Sequence, residues 1–288
     1  MTSGSPTPLL FPVADPPRPS TGTVPARSAP RRIHAFAEFP IDRVAAEKGD
    51  RRVSVCIPAR NEAATIASVL HVVRTTLMGD DGRRPLVDEL LVVDDHSTDA
   101  TREVARLAGA HVVSARGPVH GKGQAMQQAA EHATGDILVF LDADVTNTGP
   151  HFVSGLLGPL VTDDGVALVK GFYERPLGDD PAGGGRVTEL VARPLIDVLF
   201  PELSDIRQPL AGETAAQRWV FEKIDLADGY GVELGLLIDV AARFGPETIA
   251  QVDLGVRAHR NRPLGELRPQ ATDVLRAALD RAHHPRPR

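Results

Sequence analysis

The stretch LVFLDAD, Leu138–Asp144, runs from apolar residues directly into two carboxylates, Asp142 and Asp144, which one alanine separates. The apolar run predicts a buried strand, and two acids at its end repel each other unless a cation lies beside them. Carboxylate oxygens suit Mg²⁺ or Mn²⁺, which proteins mostly bind together with substrate phosphates. The stretch therefore predicts a metal site next to a phosphorylated donor, with a solvated acidic turn or a helix N-cap as the alternative.

Short apolar strands alternate with helices from Val53 up to this stretch. The strands are predicted at VSVCIP, ELLVVDD, HVVS and DILVFLDAD, and the helices at residues 63–78, at residues 100–108 and in a segment ending at 133. This order predicts an α/β fold with a mostly parallel sheet flanked by helices. Polar residues follow three of the strands, at 58–62, 94–97 and 142–144. Because ligands of such sheets bind beyond the carboxyl ends of the strands, we expect these residues to meet in one site.

The rest of the chain divides around this core. Residues 1–32 hold eight prolines among small residues and are predicted to be a disordered tail. Residues 33–150 form the predicted first half of the domain, and residues 151–288 form a second half that ends in a C-terminal helical extension. In that half, strands are predicted at VALVKGFY and TIAQVDLGV, and helices at residues 151–160, 187–200, 215–222, 232–244 and 270–282.

The composition is that of a folded globular protein. The chain has 288 residues, of which 42% are hydrophobic, and this suffices for one large domain with a proper core. A net charge of −6 argues against broad nucleic-acid binding. No segment approaches the roughly 18 apolar residues of a membrane span, and the N-terminus lacks the apolar centre of a secretory signal. The single cysteine, Cys56, has no partner for an internal disulfide, and this fits a reducing compartment. From these three observations together, we expect a cytoplasmic protein that binds neither nucleic acid nor membrane.

Two further segments carry chemistry of their own. Lys122 lies between two glycines, Gly121 and Gly123, at a predicted helix start, where a cation and free N–H groups both meet an anion and the glycines leave room for it. In GGGRVTE, an arginine and a threonine follow three glycines at another predicted helix entry, which suits a phosphate group. The alternatives are an exposed lysine and a flexible glycine-rich linker.

Several motifs together resemble a known family. The first half is similar to nucleotide-diphospho-sugar glycosyltransferases of the GT-A fold in four motifs, PARNEAATI, VVDDHSTD, HGKG and LVFLDAD. The second half resembles, more narrowly, the glucosyl-3-phosphoglycerate synthases, in the motifs LVKGFYERP, GGGRVTELVARPL, QPLAGE, DGYGVELGLLID and IAQVDLGVRAHRNRPL. The resemblance runs from about Val53 to Leu267 and departs from the family at His96, where relatives often have glycine.

The resemblance implies a GT-A (Rossmann-like) fold and the transfer of glucose from UDP-glucose to 3-phosphoglycerate with retention. Residues 33–150 would be the nucleotide-sugar-binding half of the domain, and residues 151–288 the acceptor-binding half with the C-terminal extension. It also implies a Mg²⁺ or Mn²⁺ cofactor, a homodimer, and a place in methylglucose lipopolysaccharide biosynthesis. Lys122, Asp144 and Glu233 are the residues expected to be catalytic, and Asp144 and His259 the metal ligands. The implied donor-binding residues are Pro58, Ala59, Arg60, Glu62, Asp95, Lys122, Asp142, Asp144 and Glu233. The implied acceptor-binding residues are Gly185, Arg186, Thr188 and Asn261.

Other functions share the same first half. A mannosyl-3-phosphoglycerate synthase using GDP-mannose, or an inverting transferase acting on a lipid phosphate, would need the same donor motifs. A nucleotide-sugar binder without turnover is the alternative outside enzymes. On the residues alone, His259 would be a solvated histidine in a basic segment and Glu62 and Glu233 would be acids at helix N-termini.

Overall fold

The computed structural model describes residues 32–79, 84–117, 121–175, 185–258 and 264–284. Within these residues, eight strands form one sheet. The strands are β1 (Ile33–Ala35), β2 (Val53–Ala59), β3 (Glu89–Asp94), β4 (His111–Ser114), β5 (Ile137–Phe140), β6 (Leu168–Glu174), β7 (Thr214–Gln217) and β8 (Ile249–Val256).

Helices connect the strands and cover both faces of the sheet. They are α1 (Ile41–Lys48), α2 (Ile66–Leu77), α3 (Thr101–Leu107), α4 (Lys122–His132), α5 (Pro150–Thr162), α6 (Arg193–Leu199), α7 (Arg218–Lys223), α8 (Val232–Phe244) and α9 (Leu264–His283). A π-helical turn, Thr188–Ala192, leads into α6. Single 3₁₀ turns lie at Phe36–Glu38, Pro201–Leu203, Gly229–Gly231 and Pro246–Thr248.

The strand order is β1-β8-β6-β7-β5-β2-β3-β4. β7 runs antiparallel to both of its neighbours, and every other pairing is parallel. The predicted α/β class with a mostly parallel sheet is confirmed. Because β2, β3, β5, β6 and β8 point the same way, their carboxyl ends share one edge of the sheet. The residue before β7, Glu213, reaches the same edge because that strand runs in the opposite direction.

Apolar patterning explains why these segments pack in three layers. β5 is buried along its whole length and β2 nearly so, as expected for central parallel strands covered on both faces. α2 presents one apolar stripe to the sheet, formed by Ile66, Val69, Leu70, Val73 and Leu77. One core contains residues of α1, α2 and α5, and a second core on the opposite face contains residues of α4, α7, α8 and α9.

Two sequence predictions about elements need correction. The helix predicted over residues 215–222 is wrong at its start, because Thr214–Gln217 is strand β7 and only Arg218–Lys223 is helical. Its alanines favour helix locally, but pairing with β5 and β6 in a buried position overrides that preference. The last helix begins six residues before the predicted Gln270 and continues through Pro269.

The predicted tail lies outside the described residues except for Arg32. Its backbone carbonyl accepts a hydrogen bond from the N–H of Gln251 in β8, and its guanidinium lies 2.8 Å from Asp163. In the described part of the chain, none of the helices combines the length and the apolar character that crossing a bilayer requires.

Candidate active site

A cavity of about 460 Å³ opens at the edge where the carboxyl ends of the parallel strands meet. Twelve of the fourteen residues predicted to form the site line it, namely Pro58, Ala59, Arg60, Glu62, Asp95, Lys122, Asp142, Asp144, Gly185, Arg186, Thr188 and Glu233. The other two, His259 and Asn261, lie outside the described residues. The fold thus brings donor-side and acceptor-side candidates, which are up to 175 positions apart in sequence, into one pocket.

The turns after β2 and β3 form one wall of the pocket and brace each other. Asn61 accepts a hydrogen bond from the N–H of Thr98 at 2.8 Å, and its own N–H donates to Ser97 Oγ at 3.0 Å. Asp95 is buried, and its N–H donates to the carbonyl of Ala59 at 2.8 Å. This wall is held by hydrogen bonds between the two turns, so it is preorganised for a ligand.

His96 adopts a backbone conformation that glycine favours. Its φ angle is +57°, in the left-handed region where glycine is favoured. The imidazole lies 3.0 Å from Oδ1 of Asp95 and 2.9 Å from the carbonyl oxygen of Gly117. These two contacts hold the turn in a conformation that glycine would adopt without strain.

Lys122 is the first residue of α4, and its ammonium group joins two carboxylates. Its Nζ lies 2.5 Å from Oδ1 of Asp142 and 2.8 Å from Oε1 of Glu233, in the first turn of α8. Burial of the ammonium group opposes its charge, but the carboxylates of Asp142 and Glu233 outweigh burial and raise the pKa of Lys122 well above its ordinary value. Lys122 therefore stays protonated and links α4, α8 and the end of β5.

The glycine after Lys122 has a different role from the predicted one. A Cβ at Gly123 would lie 1.8 Å from the carbonyl oxygen of Ala227, in the segment that leads to α8. The space beside Gly123 is therefore filled by the chain itself. This glycine allows α4 to pack against the segment before α8, rather than leaving room for an anion.

A second cation, Arg257, lies between the two carboxylates of the LVFLDAD stretch. Its Nη2 donates to Oδ2 of Asp142 at 2.6 Å and to Oδ1 of Asp144 at 3.0 Å. Its Nε donates to Oε1 of Glu213 at 3.0 Å, and only 4% of Arg257 is exposed. Burial opposes the charge, but Glu213 and the other acids around it raise the pKa of Arg257 further. Its guanidinium is thus a permanent positive charge inside the pocket.

The two aspartates respond oppositely to this environment. Burial acts against the charge of Asp142, but Lys122 and Arg257 together hold its pKa well below the usual range. Burial, followed by repulsion from Asp142, raises the pKa of Asp144 above its ordinary value. Asp142 is therefore a firmly ionised anchor, whereas Asp144 carries negative charge that its surroundings compensate incompletely.

Behind Arg257, Glu213 and Tyr173 form a buried support. Glu213 is fully buried, and its Oε2 accepts a hydrogen bond from the hydroxyl of Tyr173 at 2.6 Å. The guanidinium of Arg257 lies 5.4 Å from the centre of the Tyr173 ring, and that of Arg175 lies 4.8 Å from it. Arg175 also donates to the Tyr173 hydroxyl at 2.8 Å. Glu213 and Tyr173 thus position Arg257, through its Nε and through the face of its guanidinium.

The acceptor-side candidates line the same pocket as this charge cluster. Gly185 and Arg186 precede the π-helical turn, and Thr188 is its first residue. Thr188 is buried, while Gly185 and Arg186 are partly exposed to the cavity. An arginine and backbone N–H groups at a helical entry are suited to an anionic group.

The carboxylate of Asp144 and its surroundings fit a divalent cation. Arg257 is the one ion-pair partner of Asp144 within the described residues, and it occupies Oδ1 alone. The incompletely compensated charge at Asp144 favours a cation, and Mg²⁺ and Mn²⁺ are commonly held by one or two carboxylates together with substrate phosphates. No group of three or more metal-type ligands occurs among the residues that the structure describes, so a cation here would depend on His259 or on a substrate.

Local sequence patterns did not indicate a role for Glu213, Tyr173 or Arg175. A signal for them was present, since an acid, a tyrosine and two arginines occur inside the motifs LVKGFYERP, QPLAGE and IAQVDLGVRAHRNRPL. Their pairing was not visible, because Arg257 lies 44 positions from Glu213 and 115 from Asp142. Local pattern carries no information about such contacts.

Comparison with known proteins identifies relatives that share this architecture. Residues 54–193 match the family described as Glycosyl transferase family 2. A glucosyl-3-phosphoglycerate synthase from Mycolicibacterium smegmatis is 50% identical over 246 residues, which cover 82% of this chain and 79% of that protein.

Solved structures agree with this sequence comparison. The glucosyl-3-phosphoglycerate synthase from Mycobacterium tuberculosis in complex with Mn²⁺, UDP-glucose and phosphoglyceric acid matches with a TM-score of 0.80 and 46% identity, over 90% of this chain and 89% of that one. A complex of the synthase from that organism with Mg²⁺ and UDP has a TM-score of 0.79 and 45% identity, over 88% of each chain. Given this identity over more than four fifths of its length, the chain belongs to the glucosyl-3-phosphoglycerate synthase family.

Proposed function

We propose that this chain transfers glucose from UDP-glucose to 3-phosphoglycerate with retention, giving glucosyl-3-phosphoglycerate and UDP. The observation that carries the proposal is one pocket that Lys122, Asp142, Asp144 and Glu233 line together with the acceptor-side candidate Arg186. The mycobacterial relative, whose structure contains UDP-glucose and phosphoglyceric acid together, supports the assignment of both substrates.

On the donor side, the braced turns after β2 and β3 bind the uridine. Pro58, Ala59 and Arg60 shape this part of the pocket, and Glu62 and Asp95 accept hydrogen bonds from the base or the ribose. Asp142 and Glu233 accept hydrogen bonds from sugar hydroxyls. Lys122 orients both carboxylates and places its positive charge beside the diphosphate, where charge develops as the anomeric bond breaks.

Asp144 and His259 would hold the Mg²⁺ or Mn²⁺ cofactor. The bound ion would supply positive charge that stabilises the leaving diphosphate. On the acceptor side, Arg186 forms a fork for the phosphate of 3-phosphoglycerate, and Gly185 and Thr188 donate hydrogen bonds beside it. By resemblance to the family, Asn261 would also contact the acceptor.

The pairing of the carboxylates supports a front-face route for retention. Asp142 and Glu233 share Lys122, and Asp142, Asp144 and Glu213 share Arg257. A carboxylate engaged with a buried cation is a poor nucleophile because its negative charge is already stabilised. The acceptor hydroxyl therefore attacks from the side of the leaving group and passes its proton to a donor phosphate oxygen.

Incubation with UDP-glucose, 3-phosphoglycerate and Mg²⁺ tests the proposal, with product detected by mass spectrometry and UDP release measured in parallel. We expect one hexose on phosphoglycerate and an equal amount of UDP, with no product when the acceptor is omitted. Intact UDP-glucose and no product would reject the proposal. GDP-mannose offered in competition distinguishes the mannosyl alternative, and calorimetric binding of UDP-glucose without turnover would favour a non-catalytic binder.

We also propose a cytoplasmic homodimer that acts in methylglucose lipopolysaccharide biosynthesis. An apolar groove between α6 and α9 supports the dimer, since Leu190 is 74% exposed and Val198 is 77% exposed beside the exposed Leu275 and Leu279 of α9. A second copy would remove these side chains from water. Sedimentation should give twice the chain mass, and Val198→Asp should shift it towards one chain mass; a wild-type chain that sediments as a monomer would contradict the dimer.

A further inference from the structure

Arg257 makes contacts that glucosyl transfer alone does not explain. One nitrogen, Nη2, bridges Asp142 and Asp144, while Nε is held by the fully buried Glu213. The guanidinium therefore lies where positive charge is needed, beside the carboxylate assigned to the metal. In the ligand-free protein, Arg257 supplies this positive charge.

The surroundings of Arg257 prevent it from leaving this position. The side chain is 4% exposed, Glu213 accepts from Nε at 3.0 Å, and the ring of Tyr173 lies 5.4 Å from the guanidinium carbon. Tyr173 in turn donates to Glu213 at 2.6 Å. Moving the arginine into solvent would leave the Glu213 carboxylate buried without its cation, so the charge of Arg257 is held near Asp144.

A divalent cation at Asp144 would meet this guanidinium at close range. Two cations separated by a few ångströms repel each other strongly in a partly buried site, because the local dielectric constant is lower than that of water. Asp144 would have to give up its hydrogen bond from Arg257 or share its charge between the two cations. Negative charge from a nucleotide diphosphate would offset this repulsion.

We infer that Arg257 is an internal counter-ion for Asp144, positioned by Glu213 and Tyr173, and that it keeps metal affinity low until a nucleoside diphosphate enters the pocket. The inference rests on the proposed metal role of Asp144. It assigns Arg257 as a positioning and gating cation for the metal, and Glu213 and Tyr173 as the residues that hold it. Metal and donor would then bind as a coupled pair rather than independently.

Binding of Mn²⁺ tests this inference without measuring turnover. The electron paramagnetic resonance signal of free Mn²⁺ gives its dissociation constant with and without UDP. We expect Arg257→Gln to tighten Mn²⁺ binding at least tenfold in the absence of UDP. The additional tightening that UDP produces in the wild-type chain should become correspondingly smaller in this variant.

Three further variants make the test robust. Because Arg257→Gln leaves the buried Glu213 without its cation, the double variant Arg257→Gln/Glu213→Gln is compared with Glu213→Gln, and the same tenfold gain is expected. Arg175→Gln is the matched control, because it removes a guanidinium from the same tyrosine ring without removing a contact to Asp142 or Asp144. We expect its effect on Mn²⁺ binding to be less than threefold.

The possible results separate the inference from the proposed function. Unchanged or weaker Mn²⁺ binding in both Arg257 variants would overturn the counter-ion role, as would an equal gain in Arg175→Gln. If the wild-type chain bound Mn²⁺ with UDP, and Asp144→Asn abolished that binding, the proposed metal site would stand even so. If Mn²⁺ failed to bind the wild-type chain in the presence of UDP, both the metal site and the inference would be rejected.

Discussion

Alanine at Gly212 should disable the active site by displacing Asp142. A Cβ at this position would lie 2.2 Å from Oδ1 and 2.3 Å from Oδ2 of Asp142, whereas real Cβ contacts essentially never fall below 3.0 Å. The carboxylate and the backbone must therefore separate by at least 0.8 Å, the difference between 3.0 and 2.2 Å. The backbone angle of Gly212 is not in the left-handed region, so steric overlap alone decides the outcome.

Asp142 cannot yield without cost, because Lys122 and Arg257 hold it at 2.5 and 2.6 Å. Overpacking of a buried position typically lowers the free energy of unfolding by about 1–3 kcal/mol. A displacement of about 1 Å at reacting groups costs roughly a hundredfold in rate. We therefore expect Gly212→Ala to lower kcat/KM for glucosyl transfer about a hundredfold and to lower the unfolding free energy by about 2 kcal/mol.

Steady-state kinetics and urea unfolding measure the two effects, and Gly265→Ala is the matched control. Gly265 lies at the start of α9, and no atom within 4 Å would meet an added Cβ. That variant should keep wild-type kinetics and gain about 0.4–1 kcal/mol. A Gly212→Ala protein with kcat/KM within threefold of wild type would refute the proposed role of Asp142 and its tight packing.

Three further outcomes follow from the charge cluster. Asp144→Asn should reduce metal-dependent turnover at least about a hundredfold. It should not lower the free energy of unfolding in urea, because burial and repulsion from Asp142 already disfavour the charge of Asp144. Full activity of this variant would exclude Asp144 as the metal ligand. Lys122→Met should lower the unfolding free energy by about 3 kcal/mol, since Asp142 and Glu233 lose their shared cation; an unchanged urea midpoint would contradict this. Burial lowers the pKa of Lys170 to about 8, and an unfolded lysine titrates near 10.4, so the unfolded chain binds more protons between these values. The wild-type chain should therefore gain stability relative to Lys170→Met as the pH rises from 8 to 10, and a constant difference would argue against the buried position of Lys170.

Local pattern was sufficient to predict the framework of the fold. The apolar run that ends in Asp142 and Asp144 is β5 with its following turn. The strands that begin at Val53, Glu89 and His111 lie where short apolar runs predicted them. These elements have apolar sequences that only a covered parallel sheet can bury. The convergence of strand ends then followed from topology, because parallel strands share one carboxyl edge.

Contacts between segments that are far apart in the sequence could not be predicted from local patterns. Thr214–Gln217 has little β preference of its own and becomes a strand because it fits between β5 and β6. The pairing of Arg257 with Glu213 also depends on how β8 and β7 reach the same edge of the sheet. Resemblance to a family placed both residues inside shared motifs but did not indicate that they form a buried ion pair.

A crystal structure with UDP, Mn²⁺ and 3-phosphoglycerate would show whether Asp144 and the diphosphate bind the same ion. We expect one ion bound by Asp144, His259 and the diphosphate, with the phosphate of the acceptor on Arg186 in the same pocket. Diphosphate density away from Asp144, or a metal held without Asp144, would rule out the proposed metal site.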